Sequence, residues 1–287
     1  MTTNGPDRIR AAFARAHQQG RAAFMPYQML GHPSLQASPE IISALAGAGA
    51  DLFELGLPFS DPLADGPTVQ AAGQIALNNG VTVAQCLAMV SDLRRELPDP
   101  PFCLMGYINP ILAYGTERFL RAAAEAGVDG LIVPDLPPDE PEAEEIAALC
   151  ARFGIAPIYL LAPTSTAERI ELGVLRSQGF VYLVSVAGVT GTRAALPADL
   201  SSFVQRVRRI ADRRPASERP YIAVGFGIGT PEVSAAVARI ADGVIVGSAL
   251  VKLAGSSEQP AEAVAELGAA LGAAARRSVA SADVAAE

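Results

Sequence analysis

The sequence predicts an α/β protein folded as a single (β/α)8 TIM barrel with an extra N-terminal helix and a C-terminal helical extension. Three observations predict it. Eight short apolar runs alternate with helical segments along the 287 residues. The runs are apolar throughout, as expected of parallel strands covered by helices. A phrase of turn, acid and apolar strand recurs, in Ala48-Gly49-Ala50-Asp51, Ala126-Gly127-Val128-Asp129 and the looser Ile240-Ala241-Asp242. One βα unit repeated eight times closes most naturally into a barrel. An open doubly wound sheet would want G-x-G-x-x-G after its first strand, and Leu30-Gly31-His32-Pro33 is not that.

The eight candidate strands are residues 23–29, 52–56, 102–106, 130–134, 156–160, 180–185, 221–224 and 243–246. Helical patterns occupy 39–48, 83–96, 117–126, 141–152, 167–177, 198–213 and 231–239. Thr166 and Thr230 stand at N-cap positions, and Pro231 suits a first helical turn. A helix beginning at Arg8 precedes the first strand and is expected to cap the barrel bottom. An Ala/Leu-rich helix over 261–276 ends the pattern. Residues 1–277 are therefore read as one catalytic domain, and 278–287 as a disordered tail.

Composition removes several classes of function. The net charge is −8, whereas nucleic-acid binding needs a basic face. No apolar run is long enough to cross a membrane, and Met1 to Asp7 lacks a signal-peptide core. Cys86, Cys103 and Cys150 are scattered and odd in number, which suits reduced thiols in the cytoplasm. Lys252 is the only lysine, and His17 and His32 are the only histidines. His17 reads as a solvated helix residue. No metal-ligand spacing, G-x-S-x-G or P-loop is present. Chemistry in this chain falls to carboxylates, tyrosines and backbone groups.

Residues 53–69 read F-E-L-G-L-P-F-S-D-P-L-A-D-G-P-T-V and concentrate that chemistry. Glu54 lies inside an apolar strand, where a carboxylate is disfavoured by several kcal/mol unless paired or neutral. Asp65 lies on the following loop, stiffened by Pro58, Pro62 and Pro67. Two acids in unlike settings are a means of dividing acid and base roles. Both stand at the C-terminal end of one strand, where this fold places its active sites. Glycine-rich loops follow the last three strands: Gly188-Val189-Thr190-Gly191, Gly225-Phe226-Gly227-Ile228-Gly229 and Gly247-Ser248. Their backbone N–H groups suit a phosphate, which this fold binds after its seventh and eighth strands.

These motifs, in this order from about Phe24 to Lys252, resemble the tryptophan synthase alpha subunit family. The resemblance implies retro-aldol cleavage of indole-3-glycerol phosphate to indole and glyceraldehyde 3-phosphate. It also implies a beta-subunit partner in an alpha2beta2 assembly, with pyridoxal phosphate in that partner and no cofactor in this chain. By the same resemblance Glu54 and Asp65 are catalytic. Tyr27, Met105, Tyr107, Tyr182 and Thr190 contact substrate, with Thr190 on a loop that closes onto the aspartate. Gly191, Gly227, Gly247 and Ser248 hold the phosphate, and Asp61, Asn109 and Pro110 face the partner. The chain departs from the family pattern T-x-G-D-P at Met29-Leu30-Gly31-His32-Pro33, where Met29 replaces the threonine and His32 the aspartate.

The chemistry needs no lysine Schiff base. Protonation at C3 of an indole gives an indolenine that draws electrons from the adjacent carbon–carbon bond. Glu54 can supply that proton and later accept one, and an ionised Asp65 can stabilise charge at the ring nitrogen. Rival readings are a different phosphate-sugar barrel enzyme, a free-standing indole-releasing lyase, and a non-catalytic effector of a beta-like partner.

Overall fold

A computed structural model of the chain describes residues 4–184, 199–225 and 227–276. Its strands are β1 (Ala23–Met29), β2 (Phe53–Gly56), β3 (Phe102–Met105), β4 (Gly130–Ile132), β5 (Ala156–Ile158), β6 (Leu160–Leu161), β7 (Phe180–Val184), β8 (Tyr221–Gly225) and β9 (Gly243–Val246). The helices are α1 (Gly5–Gln18), α2 (Ala37–Gly47), α3 (Pro67–Asn78), α4 (Val83–Glu96), α5 (Ile108–Tyr114), α6 (Thr116–Glu125), α7 (Pro141–Phe153), α8 (Ala167–Arg176), α9 (Leu200–Ala211), α10 (Pro231–Ala238), α11 (Ser248–Ser256) and α12 (Pro260–Ala274).

All neighbouring strands pair in parallel, in the order β5-β4-β3-β2-β1-β9-β8-β7-β6. The two edges, β5 and β6, are halves of one expected strand separated by Tyr159. The break has a local cause. The Tyr159 N–H donates to the Ser177 hydroxyl at 3.2 Å instead of entering a ladder. The seam is nonetheless bonded: the Tyr182 N–H donates to the Tyr159 carbonyl at 3.1 Å, and the Gln178 N–H to the Pro157 carbonyl at 2.9 Å. Nine assigned strands thus form an eight-position barrel.

The capping residues act as their types dictate. Thr166 and Thr230 accept from the N–H groups of Arg169 and Val233, and Thr82 forms a capping box with Gln85. Two helices were not expected. α3 starts at Pro67 from Gly66, and α5 starts at Ile108 from Tyr107; neither has a side-chain cap. α1 covers the barrel bottom through Ile9 and Phe13. Phe13 stacks on Tyr221 at 4.7 Å, and a Cβ built on Gly179 or Gly130 would strike Ile9. His17 departs from the expectation of a solvated residue, because its ring meets Tyr221 edge-on at 5.2 Å and lies 3.7 Å from Asp242.

The recurring acid has a structural task. Asp51, Asp129 and Asp242 each clamp the start of a neighbouring strand by two bonds to one residue. Their N–H groups donate to the carbonyls of Phe24, Phe102 and Ile222 at 2.9, 2.8 and 2.7 Å. Their carboxylates accept the N–H groups of the same three residues at 2.8, 2.9 and 2.8 Å. Arginines complete each clamp: Arg21 at Asp51, Arg8 and Arg94 at Asp129, and Arg208 at Asp242. The clamped N–H belongs to the first residue of β3 and to the second of β1 and β8, and leaving it buried and unbonded would be costly.

Asp129→Ala would orphan the Phe102 N–H and free two arginines, so it is expected to lower stability by about 3 kcal/mol. Asp139→Ala, which breaks the exposed pair with Arg169, should lower it by less than about 1 kcal/mol. Urea midpoints of the two variants measure the difference.

Candidate active site

Strand register brings the chemistry together at the C-terminal mouth of the barrel. Tyr27 on β1 lies opposite Glu54 on β2. Glu54, Asp65, Tyr27, Met105, Tyr182, Gly227, Gly247 and Ser248 line one cleft of about 440 Å³. Gly66, Val69 and Ile245 complete its wall. These three escaped the sequence reading. Val69 belongs to the unexpected α3, and Ile245 looks like any strand residue; only Gly66, beside Asp65, carried a local signal.

Glu54 is buried, with no cation against it among the described residues. Its carboxyl accepts from the Tyr182 hydroxyl, while Oε1 has no partner among the described residues. Burial first, and the nearby Asp65 second, push its pKa up to about 8, against the downward pull of the Tyr182 hydroxyl. Burial also raises Asp65, to about 6, and the Tyr107 hydroxyl opposes that rise. Near neutral pH the pair therefore divides into a protonated Glu54 and an ionised Asp65.

Tyr107 stands behind the cleft wall and holds the Asp65 loop. Its hydroxyl accepts the Ala64 N–H at 3.0 Å and donates to the Asp65 carboxyl. The loop is fixed further by Gln70, whose side-chain amide donates to the Asp65 carbonyl at 2.8 Å. At the other end of the cleft, Gly227 has φ +82, a conformation that favours glycine. Gly247 and Ser248 form the N-terminus of α11, where N–H groups are free to meet an anion. Lys252 is exposed on α11 and takes no part in the cleft.

Other expected site residues fall elsewhere. Asp61 and Asn109 are exposed and Pro110 is half-buried, all apart from the cleft. Thr190 and Gly191 lie outside the described residues, as do the loop 188–197 and the tail 278–287. Met29 and His32 are both buried. Met29 receives the Tyr27 hydroxyl at its sulfur, 3.9 Å away, and neither residue lines the cleft.

The family model described as tryptophan synthase alpha chain matches residues 13–278. The chain belongs to this family. A tryptophan synthase alpha chain from Carboxydothermus hydrogenoformans is 49% identical over 246 residues, covering 86% of this chain and 88% of the relative. One from Caulobacter vibrioides is 47% identical over 260 residues, 91% of each chain. Among solved structures, Mycobacterium tuberculosis tryptophan synthase superposes with a TM-score of 0.85 at 37% identity, covering 94% of this chain and 99% of that one. The alpha chain from Legionella pneumophila gives 0.79 at 34% identity, covering 93% and 96%.

The raised Glu54 value has a consequence for stability. A carboxyl whose folded pKa lies above its ordinary 4.5 destabilises the fold once ionised. Its contribution is full below about 4.5 and is lost as pH rises through about 8. Glu54→Gln keeps the shape and removes the charge. The variant is expected to gain roughly 3 kcal/mol on wild type between pH 5 and pH 8.5, read from urea unfolding at both pH values.

Proposed function

We propose that this chain cleaves indole-3-glycerol phosphate to indole and glyceraldehyde 3-phosphate as the alpha subunit of tryptophan synthase, with Glu54 as acid and base and Asp65 as the stabilising anion. The observation that carries the reading is one cleft that holds both acids and, away from them, Gly227 and the N-terminus of α11. The neutral Glu54 carboxyl gives its proton to indole C3, and the ring becomes an indolenine. Asp65, ionised, accepts the ring N–H and offsets the positive charge on nitrogen. The carboxylate left on Glu54 then takes the proton of the side-chain hydroxyl as the carbon–carbon bond breaks. Its electron pair returns to the ring, indole and the aldehyde part, and Glu54 is protonated again. Tyr182 orients Glu54 throughout, Tyr27 and Met105 flank the ring, and Gly227, Gly247 and Ser248 hold the phosphate.

The partner is the beta subunit, which carries the pyridoxal phosphate; this chain supplies no cofactor, and the complex is an alpha2beta2 assembly in the cytoplasm. Three buried free thiols are consistent with a reducing compartment. The surface bearing Asp61, Asn109 and Pro110 is assigned to the partner. Leu63, 90% exposed, and Leu112, 52% exposed, lie in the same two segments. Both are apolar side chains that a partner could cover.

Glu54→Gln is expected to bind substrate and lose indole release by a hundredfold or more, on the order of lost acid–base catalysis; near-wild-type release by that variant rejects the assignment. Leu63→Asp should weaken beta-subunit binding by about tenfold or more while the isolated chain keeps its own slow turnover. A titration with beta subunit that follows complex formation and indole release measures both.

A further inference from the structure

Two tyrosines lean across the barrel mouth in the same manner. The Tyr182 ring overlies Gly225 of the neighbouring strand, and a Cβ there would lie 2.4 Å from its hydroxyl. The Tyr27 ring overlies Gly56, and a Cβ there would lie 2.1 Å from its hydroxyl. Both rings line the cleft that holds the two acids, and Tyr27 stands opposite Glu54 in the register of β1 and β2. The partners of the two hydroxyls differ in strength. Tyr182 donates to the Glu54 carboxyl, whereas the Tyr27 hydroxyl has only the Met29 thioether, at 3.9 Å, among the described residues. Sulfur is a weak acceptor, and a buried O–H is poorly served by it.

Tyr27 spans the cleft lengthwise. Its stem packs beside Gly247 at the phosphate end, and its hydroxyl reaches Gly56, two residues beyond Glu54 and just before the Asp65 loop. Asp65 is the foremost charge acting on that hydroxyl, ahead of Glu54. The Tyr107 phenol is already used in both senses, taking the Ala64 N–H and serving Asp65 from the loop side. A carboxylate has about four acceptor sites, so Asp65 has room for a second donor.

We infer that Tyr27 is a positioning residue for Asp65: with substrate in the cleft, its hydroxyl leaves the Met29 sulfur and donates to the Asp65 carboxylate, which is then held by two phenols against the ring N–H. The inference rests on the reading of Asp65 given above. Among the described residues the titratable groups that act on Asp65 are Glu54 from β2, Tyr27 from β1, Tyr107 after β3 and Tyr182 from β7, none of them a cation. A hydroxyl donor favours the ionised carboxylate, so removing one must raise the Asp65 pKa further.

The test is the pH profile of kcat, which reports groups in the substrate complex, for indole-3-glycerol phosphate in Tyr27→Phe, Met29→Leu and Asp65→Asn. For Tyr27→Phe the acid limb, set by Asp65, should move up by roughly half a unit to one unit, with the basic limb unmoved. Its kcat should fall about tenfold, as for loss of a hydrogen bond to a charged group, while KM changes by less than about twofold. Met29→Leu removes the competing sulfur at similar volume and should leave the acid limb in place with kcat no lower than wild type. A packing role alone would change melting temperature and KM and leave the acid limb where it was, which overturns the inference. An equal limb shift in Met29→Leu overturns it as well. Should Asp65→Asn turn over like wild type, the role of Asp65 itself has failed; should it be inactive while Tyr27→Phe keeps its limb, only the clamp by Tyr27 has failed.

Discussion

Glu54 takes its carboxyl into the barrel with a phenol, and no cation among the described residues, for company, and the rest of the mouth is arranged around that choice. A guanidinium in place of Tyr182 would stabilise the carboxylate and remove the neutral form from use near pH 7. The same chain shows the alternative at its opposite face. Burial also pushes Asp129 upward, but two arginines and a backbone N–H act against it. Among the described residues Glu54 meets only the Tyr182 hydroxyl, and the rise reaches about 8. Burial raises both acids, and the identity of their nearest donors decides how strongly that rise is opposed.

The two faces depend on each other. An acid that destabilises the fold when ionised must sit on strands held in register by something else. The clamps at Asp51, Asp129 and Asp242 fix the starts of β1, β3 and β8, and α1 fills the space beneath them. Above, Tyr107 and Gln70 bind the Asp65 loop from its side chain and its backbone. Rigid support below and tethering above leave the cleft residues with little freedom to relax away from an unfavourable charge.

Much of this was legible in the sequence, for identifiable reasons. The apolar runs set the strands, and the acid within 52–56 could be singled out because burial of a carboxylate is improbable without use. The split at Tyr159 was not legible, since it follows from one hydroxyl, Ser177, that meets the chain only in three dimensions. α3 begins at Pro67, which reads as stiffening the Asp65 loop and not as a first helical turn, and α5 is only seven residues long without a side-chain cap. The recurring aspartates were visible as a turn phrase, but their bonds to the next strand depend on register. The same holds for Tyr27 and Tyr182, whose hydroxyls are placed by glycines on neighbouring strands.

Those two glycines bear on how the site can drift over generations. Gly56 and Tyr27, like Gly225 and Tyr182, occupy one volume between them, so neither member of a pair is free to change alone. A methyl at Gly56 meets the Tyr27 ring at 2.6 Å and its oxygen at 2.1 Å, and loss of the hydroxyl alone would not clear the ring. Any lineage that enlarges the glycine must first have shortened the tyrosine, passing through an intermediate with a void beside the acids. The order of substitution is therefore constrained as tightly as the residues, and each pair behaves as a single heritable unit.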